Sequence, residues 1–486
     1  MLADLDQADD AAPRRFHRSL SSVGVVILTL SVLSPGLSIF VGGGTILQQA
    51  GTGAAIAFLA GALVCYCQTA LAAELGAAYP TAGYDYAAIG HAIGDWAGAT
   101  TYIAGLAIFP VFLNLAGLGI AIYLRPLGIP YDPNSVAVIT IVMVTGLAML
   151  NIRTNELLTG LFLLIEFAAL ALVAGIGAWH IQPDAAARVL EPMHFDNGLW
   201  VAASVGVIGI GLNSACWAMG GASQALMFSE DMTRPAAIGR IILVVFLLAV
   251  VAETTPVIGT IVGARDVRAV LISDAPFEAF LRQYLPDPAL KLVSLAIAIA
   301  IFNTCLASFV GCGRTVFSMG RTELFPLPIS RAMTRLTRRT DAPWVALLCL
   351  GAATLLATYI PLTAKVLLLS GNVTMITIFY VWGVYRGRRR GLTGERYRTP
   401  LFPLFPALGV AIVIGQIIVL WIDAETGRKS LFVSASIYLL AFCYYQFGLK
   451  RRRGGWRLRG PDDIAAHIEP QTAAEISPPA GPRSSR

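Results

Sequence analysis

Long apolar segments dominate this sequence and confine it to a membrane. A helix needs about 20 apolar residues to cross a hydrocarbon core of about 30 Å. In the first half of the chain such segments cover residues 23–47, 53–78, 100–124, 135–150, 157–179 and 198–228. In the second half they cover residues 238–263, 290–319, 344–360, 366–385, 404–422 and 431–447. We therefore expect an all-α polytopic membrane protein with twelve transmembrane helices.

The basic residues indicate how this chain is oriented. The largest groups lie at residues 331–339, 386–398 and 450–459, and a cytoplasmic amino terminus puts all three in the cytoplasm. Arginine and lysine near span ends are retained on that side. We expect both termini in the cytoplasm, residues 1–20 as a short tail and residues 454–486 as a disordered one. The net charge of +6 reflects this asymmetry and not nucleic-acid binding.

The polar chemistry of an enzyme is not apparent in the sequence. All seven cysteines fall inside predicted spans, and the five histidines are scattered. We find no phosphate-binding loop, nucleophile elbow or metalloprotease motif. The sequence therefore predicts a protein of the cell membrane that is not an enzyme, with no cofactor or metal, and disfavours a transport ATPase.

Two of the apolar segments carry a backbone break near their middle. The first reads LSPGLS at residues 33–38 and the sixth reads MGGAS at residues 219–223. Proline removes an amide hydrogen and clashes with the preceding turn, and lipid cannot satisfy the freed carbonyl. Paired breaks at corresponding positions of two halves indicate the binding site of a secondary transporter. The alternative is that both are kinks or close helix contacts.

The positions of the breaks predict an internal repeat. Segments one to five (about residues 21–180) and six to ten (about 197–386) would form a 5+5 inverted repeat, with two extra helices at about 402–449. Free helix ends offer N–H groups to a carboxylate and carbonyl oxygens to an ammonium group, so they suit a zwitterion. The predicted substrate-binding residues flank both breaks: Ser34, Pro35, Gly36, Leu37, Ser38, Phe40, Trp217, Met219, Gly220, Gly221, Ala222 and Ser223.

Three further motifs resemble the amino acid-polyamine-organocation (APC) superfamily of permeases. They are AEL at residues 73–75 followed by YPTAGYDY at 79–86, SEDMTRP at 229–235, and SFVGCGR at 308–314 with MGRTELFP at 319–326. The resemblance covers about residues 19–453 and implies a LeuT-type fold and transport of an amino acid or amine.

The chain departs from the family pattern at both breaks. Leu37 replaces a small polar residue, and Ser223 stands where antiporters such as the arginine/agmatine one have a glutamate. The missing carboxylate favours a neutral or small amine-bearing substrate over arginine or lysine.

Ionisable residues inside the spans suggest how transport is driven. Glu166 lies halfway along the fifth segment, where relatives carry a lysine thought to stand in for a coupling cation. Burial would favour its protonated form, so it could take up and release a proton, or it could be a structural acid. Asn303 and Ser308 are added as coupling residues, since the eighth span approaches the first break in the family's fold. We expect Glu74 to pair with a cytoplasmic arginine and Glu253 to be structural, bonded by nearby threonines.

These features favour a secondary active transporter that moves a small amino acid or related amine by alternating access, coupled to protons. The alternatives are an exchanger of internal for external metabolites and a non-transporting amino acid sensor on the same fold. A channel would need a continuous polar path, whereas the spans contain only isolated polar residues. The sequence carries no signal for an oligomeric state.

Overall fold

The computed structural model describes residues 18–124, 127–128, 132–196, 198–424, 426–452 and 456–458. Within these ranges eight helical stretches are long and apolar enough to cross a membrane: Ser22–Ala78, Asp95–Leu124, Ile152–Trp179, Val205–Asp231, Pro235–Gly263, Asp287–Arg321, Leu404–Ile422 and Gly427–Leu449. Two shorter apolar helical stretches are Pro133–Leu147 and Trp344–Tyr359. The protein is therefore a polytopic, predominantly helical membrane protein.

The first nine helices are α1 (Ser22–Leu33), α2 (residues 35–50), α3 (Ala54–Ala78), α4 (Tyr84–Ile93), α5 (Asp95–Leu124), α6 (Pro133–Leu147), α7 (Ile152–Trp179), α8 (Ala185–Leu190) and α9 (Val205–Met219). The next nine are α10 (Ile238–Gly263), α11 (Val267–Leu271), α12 (Pro276–Arg282), α13 (Asp287–Arg321), α14 (Leu327–Met333), α15 (Trp344–Leu356), α16 (Leu362–Arg389), α17 (Leu404–Ile422) and α18 (Gly427–Tyr444). A hairpin of β1 (Met193–Asp196) and β2 (Leu199–Ala202) precedes α9.

The first predicted break is present and is one residue long. Helix α1 ends at Leu33, and Ser34 has a left-handed backbone with φ of 52°. Pro35 then restarts the helix, since its missing N–H costs nothing at a first helical position. Helix α2 continues to Ala50 through a π-helical stretch, Ser38–Gly43. The prediction of a break was confirmed, although residues 35–37 are helical.

The second predicted break is also present. Helix α9 ends at Met219, Gly220 is extended, and Gly221 has a φ of 112°, which a residue with a Cβ rarely adopts. The chain then continues as a 3₁₀ helix, Ala222–Asp231, called segment 222–231 below. Both long helices are thus interrupted near their middle.

The sixth predicted span was wrong at its start. Residues 199–202 form strand β2, which pairs antiparallel with β1, and Gly198 turns with a φ of 81°. The helix begins only at Val205, where the Ser204 side chain accepts from the Val207 N–H. An apolar strand and an apolar helix in succession give one continuous hydropathy signal, so sequence periodicity does not separate them.

Helices α7 and α10 approach closely at glycines. A Cβ placed on Gly177 would lie 2.2 Å from the carbonyl oxygen of Gly259, so a side chain there would clash with backbone. Small residues permit such contacts between membrane helices. Glu166 and Glu253 lie on these two packed helices, Glu166 on α7 and Glu253 on α10.

Backbone hydrogen bonds tie the start of the described chain to the end of segment 222–231. The Leu20 N–H donates to the Asp231 carbonyl at 2.9 Å, and the Thr233 N–H donates back to the Leu20 carbonyl at 2.9 Å. Residues 1–17 of the predicted amino-terminal tail lie outside the described residues.

Two residues of the predicted carboxyl-terminal tail pack on the helical domain. The Trp456 Nε1 donates to the Thr322 carbonyl at 2.7 Å, and the Leu458 N–H donates to the Asp95 carboxylate at 3.1 Å. Both side chains are buried. Packed residues are thus found beyond position 454, and residues 459–486 lie outside the described part of the chain.

Candidate functional site

A cavity of about 190 Å³ lies between the two breaks. Eight predicted site residues line it: Leu37, Ser38, Trp217, Gly220, Gly221, Ala222, Ser223 and Ser308. Pockets for drug-sized ligands are about 300–1,000 Å³, so this cavity suits one small molecule. The structure thus brings both predicted breaks to one binding-sized space.

The remaining predicted residues do not line the cavity. Ser34, Pro35 and Gly36 are buried but are not part of the lining. Phe40 packs edge-on against Phe277, with ring centroids 5.7 Å apart, and its carbonyl accepts the Tyr123 hydroxyl. Four other predicted residues that stay outside the lining are Phe40, Met219, Glu166 and Asn303.

A hydroxyl joins the two broken helices at the cavity wall. The Ser38 Oγ of α2 donates to the Ala218 carbonyl at 3.1 Å. Ala218 lies in the last turn of α9, whose carbonyls lack partners within the helix. The bond therefore satisfies one free helix end and holds the two breaks side by side.

Glu166 bonds to the break in the first helix. Its Oε1 accepts the Gly36 N–H at 2.6 Å and the Ser34 hydroxyl at 3.2 Å. The carboxyl of α7 thus caps the restarted helix, so this N–H is already occupied in the structure. The Glu166 Oε2 is buried and has no hydrogen-bond partner among the described residues.

Glu253 is a second buried acid near this break. Both of its carboxyl oxygens lack hydrogen-bond partners within the described chain. The prediction that nearby threonines bond it was wrong: Thr255 donates to the Val251 carbonyl at 2.8 Å, and the Thr254 hydroxyl has no partner among these residues. An ionised acid without donors is costly at a buried site.

The two predicted polar residues of α13 differ in their surroundings. The Asn303 Nδ2 donates to the Ser31 Oγ of α1 at 3.1 Å, which ties α13 to the first helix. Ser308 lines the cavity, and its buried hydroxyl has no partner in the described ranges. Ser308 thus has a free polar group at the cavity, whereas Asn303 contacts the helix behind it.

Sequence reasoning missed a polar cluster beneath the second break. The buried Asp85 of α4 accepts the Ser223 hydroxyl at 2.9 Å and the Tyr380 hydroxyl of α16. The Tyr84 hydroxyl lies 3.2 Å from the Ser223 Oγ. Residues 84–86 were recognised only as part of a family motif, although a tyrosine and an acid between apolar segments could have signalled a site.

Ion pairs connect the helix ends farther from the cavity. Glu74 of α3 accepts a hydrogen bond from the Arg388 Nε of α16 at 2.7 Å, so the predicted pairing with an arginine was confirmed.

Two arginines of α13 pair with the end of segment 222–231. Arg321 donates to the Glu230 carboxylate at 2.8 Å. Arg314 donates to the Asp231 carboxylate at 2.9 Å. These bonds fasten segment 222–231 and α3 to the longer helices α13 and α16.

Comparison with known proteins agrees with this architecture. The profile of a family described as "Amino acid permease" matches residues 20–447. The branched-chain amino acid permease BcaP of Lactococcus lactis is 24% identical, over 84% of this chain and 89% of that protein. The amino-acid permease RocC of Bacillus subtilis is 23% identical, over 90% and 95%. An uncharacterized transporter of Mycobacterium tuberculosis strain H37Rv is 26% identical, over 72% and 76%. The chain therefore belongs to the amino acid permease family of the APC superfamily.

Proposed function

We propose that this protein is a secondary active transporter that carries a small amino acid or related amine through the cavity between the two breaks. The main support is the cavity itself, which both interrupted helices line. The hydrogen bond from the Ser38 hydroxyl to the Ala218 carbonyl joins the two helices at the cavity wall. The carbonyl end of α9 is the negative pole of a helix dipole and suits an ammonium group. Family membership and relatives named as amino acid permeases support the substrate class.

The proposed topology has twelve crossings and both termini in the cytoplasm. The first apolar stretch, Ser22–Ala78, contains two helical segments that meet at Gly51, whose φ is 60°. These two segments, the seven other long apolar stretches, the two shorter helical stretches and α16 together make twelve crossings. The basic end of α16, which carries Arg386, Arg388 and Arg389, would face the cytoplasm.

Protons would drive transport through Glu166. This acid bonds both Ser34 and Gly36, so a change in its protonation acts directly on the break. A carboxylate accepts two donors well, whereas a protonated carboxyl must place its own hydrogen. Gain or loss of that proton would therefore bias the two packings of the first helix that alternating access requires.

Uptake by the purified protein in proteoliposomes tests the proposal. A labelled panel would begin with branched-chain amino acids, because one relative is named for them, and would continue with basic amino acids and monoamines. We expect saturable uptake, counterflow by the same compound, and accumulation under an inward pH gradient.

The outcomes separate the alternatives. Counterflow without accumulation under a pH gradient would favour an exchanger over a proton symporter. Binding in a thermal-shift assay without any flux would favour a sensor. If no amino acid or amine raises the melting temperature or enters the vesicles, the proposed function is wrong.

A further inference from the structure

The polar cluster beneath the second break has an unusual hydrogen-bond polarity. Three hydroxyls meet there, those of Tyr84, Ser223 and Tyr380, and all three residues line the cavity. The buried Asp85 lies behind them, outside the cavity lining. What the cluster offers to a ligand depends on where each hydroxyl proton goes.

Each proton can be placed from the chemistry of the partners. The Ser223 and Tyr380 hydroxyls both donate to the Asp85 Oδ2, and two donors on one oxygen stabilise the ionised carboxylate, which itself only accepts. Because the Ser223 proton is used in this way, the Tyr84 hydroxyl donates to the Ser223 Oγ at 3.2 Å. All three hydroxyl protons are consumed inside the cluster, and only oxygen lone pairs remain for the cavity.

A fourth acceptor adjoins these hydroxyls. Gln224 follows Ser223 and also lines the cavity, and its buried Oε1 has no hydrogen-bond donor among the described residues. We call Tyr84, Ser223, Gln224 and Tyr380, with Asp85 behind them, the acceptor floor. The carboxylate adds a negative charge that the described cluster does not pair with a cation, since its partners are hydroxyls.

We propose that the acceptor floor is a subsite for a positively charged, hydrogen-bond-donating group, such as the side-chain ammonium of a basic amino acid. A buried acceptor gains most from a charged donor, and an apolar or carboxylate group placed there would leave acceptors unpaired or add like charge. The proposal rests on the proposed function and narrows its substrate class.

This inference reverses the expectation drawn from Ser223 alone. The sequence places no acid at the position where some relatives have a glutamate, which argued against basic substrates. In the folded chain the carboxylate comes instead from Asp85, 138 residues earlier, and bonds that same serine.

Ligands matched in shape but not in charge test the acceptor floor. Binding to the full-length protein in detergent would be measured by thermal shift and titration calorimetry for lysine against norleucine and ornithine against norvaline. We expect the basic member of each pair to bind about tenfold more tightly, which is the effect of one charge-assisted hydrogen bond. In Asp85→Asn the preference should fall to about threefold or less, and Tyr380→Phe should reduce it in part.

Asp132→Asn is the matched control, because Asp132 caps α6 at an exposed site and asparagine caps a helix equally well. It should keep the full preference. If norleucine binds as well as lysine to the unaltered protein, the acceptor floor does not distinguish charged from neutral side chains. The same holds if Tyr380→Phe and Asp85→Asn both keep the preference for the basic ligand. Neutral ligands would still bind in that case, so the proposed function would stand. If neither member of either pair binds, and no other amino acid or amine binds, both proposals are wrong.

Discussion

The Oε1 atom of Glu166 lies 2.6 Å from the backbone nitrogen of Gly36, and this bond joins the middle of α7 to the break in the first helix. A Cβ on Gly36 would lie 2.9 Å from the Cγ of Glu166, so the carboxyl reaches the backbone only because the residue is glycine. The bond therefore connects a titratable group and a local backbone break in one contact, and two predictions follow from its two ends.

Replacing Glu166 by glutamine should uncouple transport from protons. The glutamine Oε1 can still accept the Gly36 N–H, so the fold should persist, but the amide exchanges no proton at physiological pH. We expect accumulation under an imposed pH gradient to be lost while counterflow continues, measured in proteoliposomes. Glu156→Gln, nearer the start of the same helix, should keep accumulation. Accumulation that survives in Glu166→Gln would exclude this residue as the coupling acid.

Bulk at either break should stop transport. Leucine at position 36 would press on Glu166, and leucine at position 221 would be strained by the φ of 112°. We expect Gly36→Leu and Gly221→Leu to reduce uptake at least about tenfold. The variants should still insert in the membrane, which is checked by extracting the protein in detergent and confirming that it is monodisperse. Gly415→Leu is the control, because a Cβ there meets open space. Wild-type uptake in either break variant would contradict the site.

Breaking the Glu74 to Arg388 pair should cost much stability. Glu74 is fully buried and is also bonded by the Thr399 N–H at 2.7 Å. Arg388→Met leaves the carboxylate without its main partner, so we expect a loss of about 3–5 kcal/mol in the free energy of unfolding. Unfolding in detergent would report it. The double variant Glu74→Gln, Arg388→Met should recover part of the loss; no recovery would indicate that the arginine acts through packing alone.

The anchor at Trp456 should also be measurable. Its indole is buried and donates to the Thr322 carbonyl, next to the end of α13. Trp456→Ala should lower the stability of the domain by about 3 kcal/mol or more through the cavity and the unpaired carbonyl. Arg457→Ala alters an exposed neighbour and should leave the melting temperature unchanged. Equal melting temperatures for both variants would refute the anchor.

Local chemistry explains which features the sequence could predict. The backbone is restricted at Pro35 and is freer at Gly220 and Gly221. Both breaks can therefore be predicted without knowing which residues pack against them. Length and apolarity likewise indicated the long apolar helices, because a membrane imposes both properties on each helix separately. The start of α9 was missed since strand β2 is as apolar as the helix that follows it.

The site features that the sequence did not predict are contacts between distant parts of the chain. Asp85 meets Ser223 and Tyr380 across 138 and 295 residues, a proximity that no local pattern records. Glu253 was expected to bond threonines of its own helix, yet neither of its carboxyl oxygens has a hydrogen-bond partner among the described residues. Sequence can place an acid at membrane depth, but its partners depend on how helices pack.

The backbone bonds between Leu20 and residues 231 and 233 join the start of α1 to the end of segment 222–231. Helix α1 ends at the first break and segment 222–231 begins at the second, so the far ends of these two elements are fastened to each other. Because main-chain groups make these bonds, replacing a side chain by anything other than proline does not remove them.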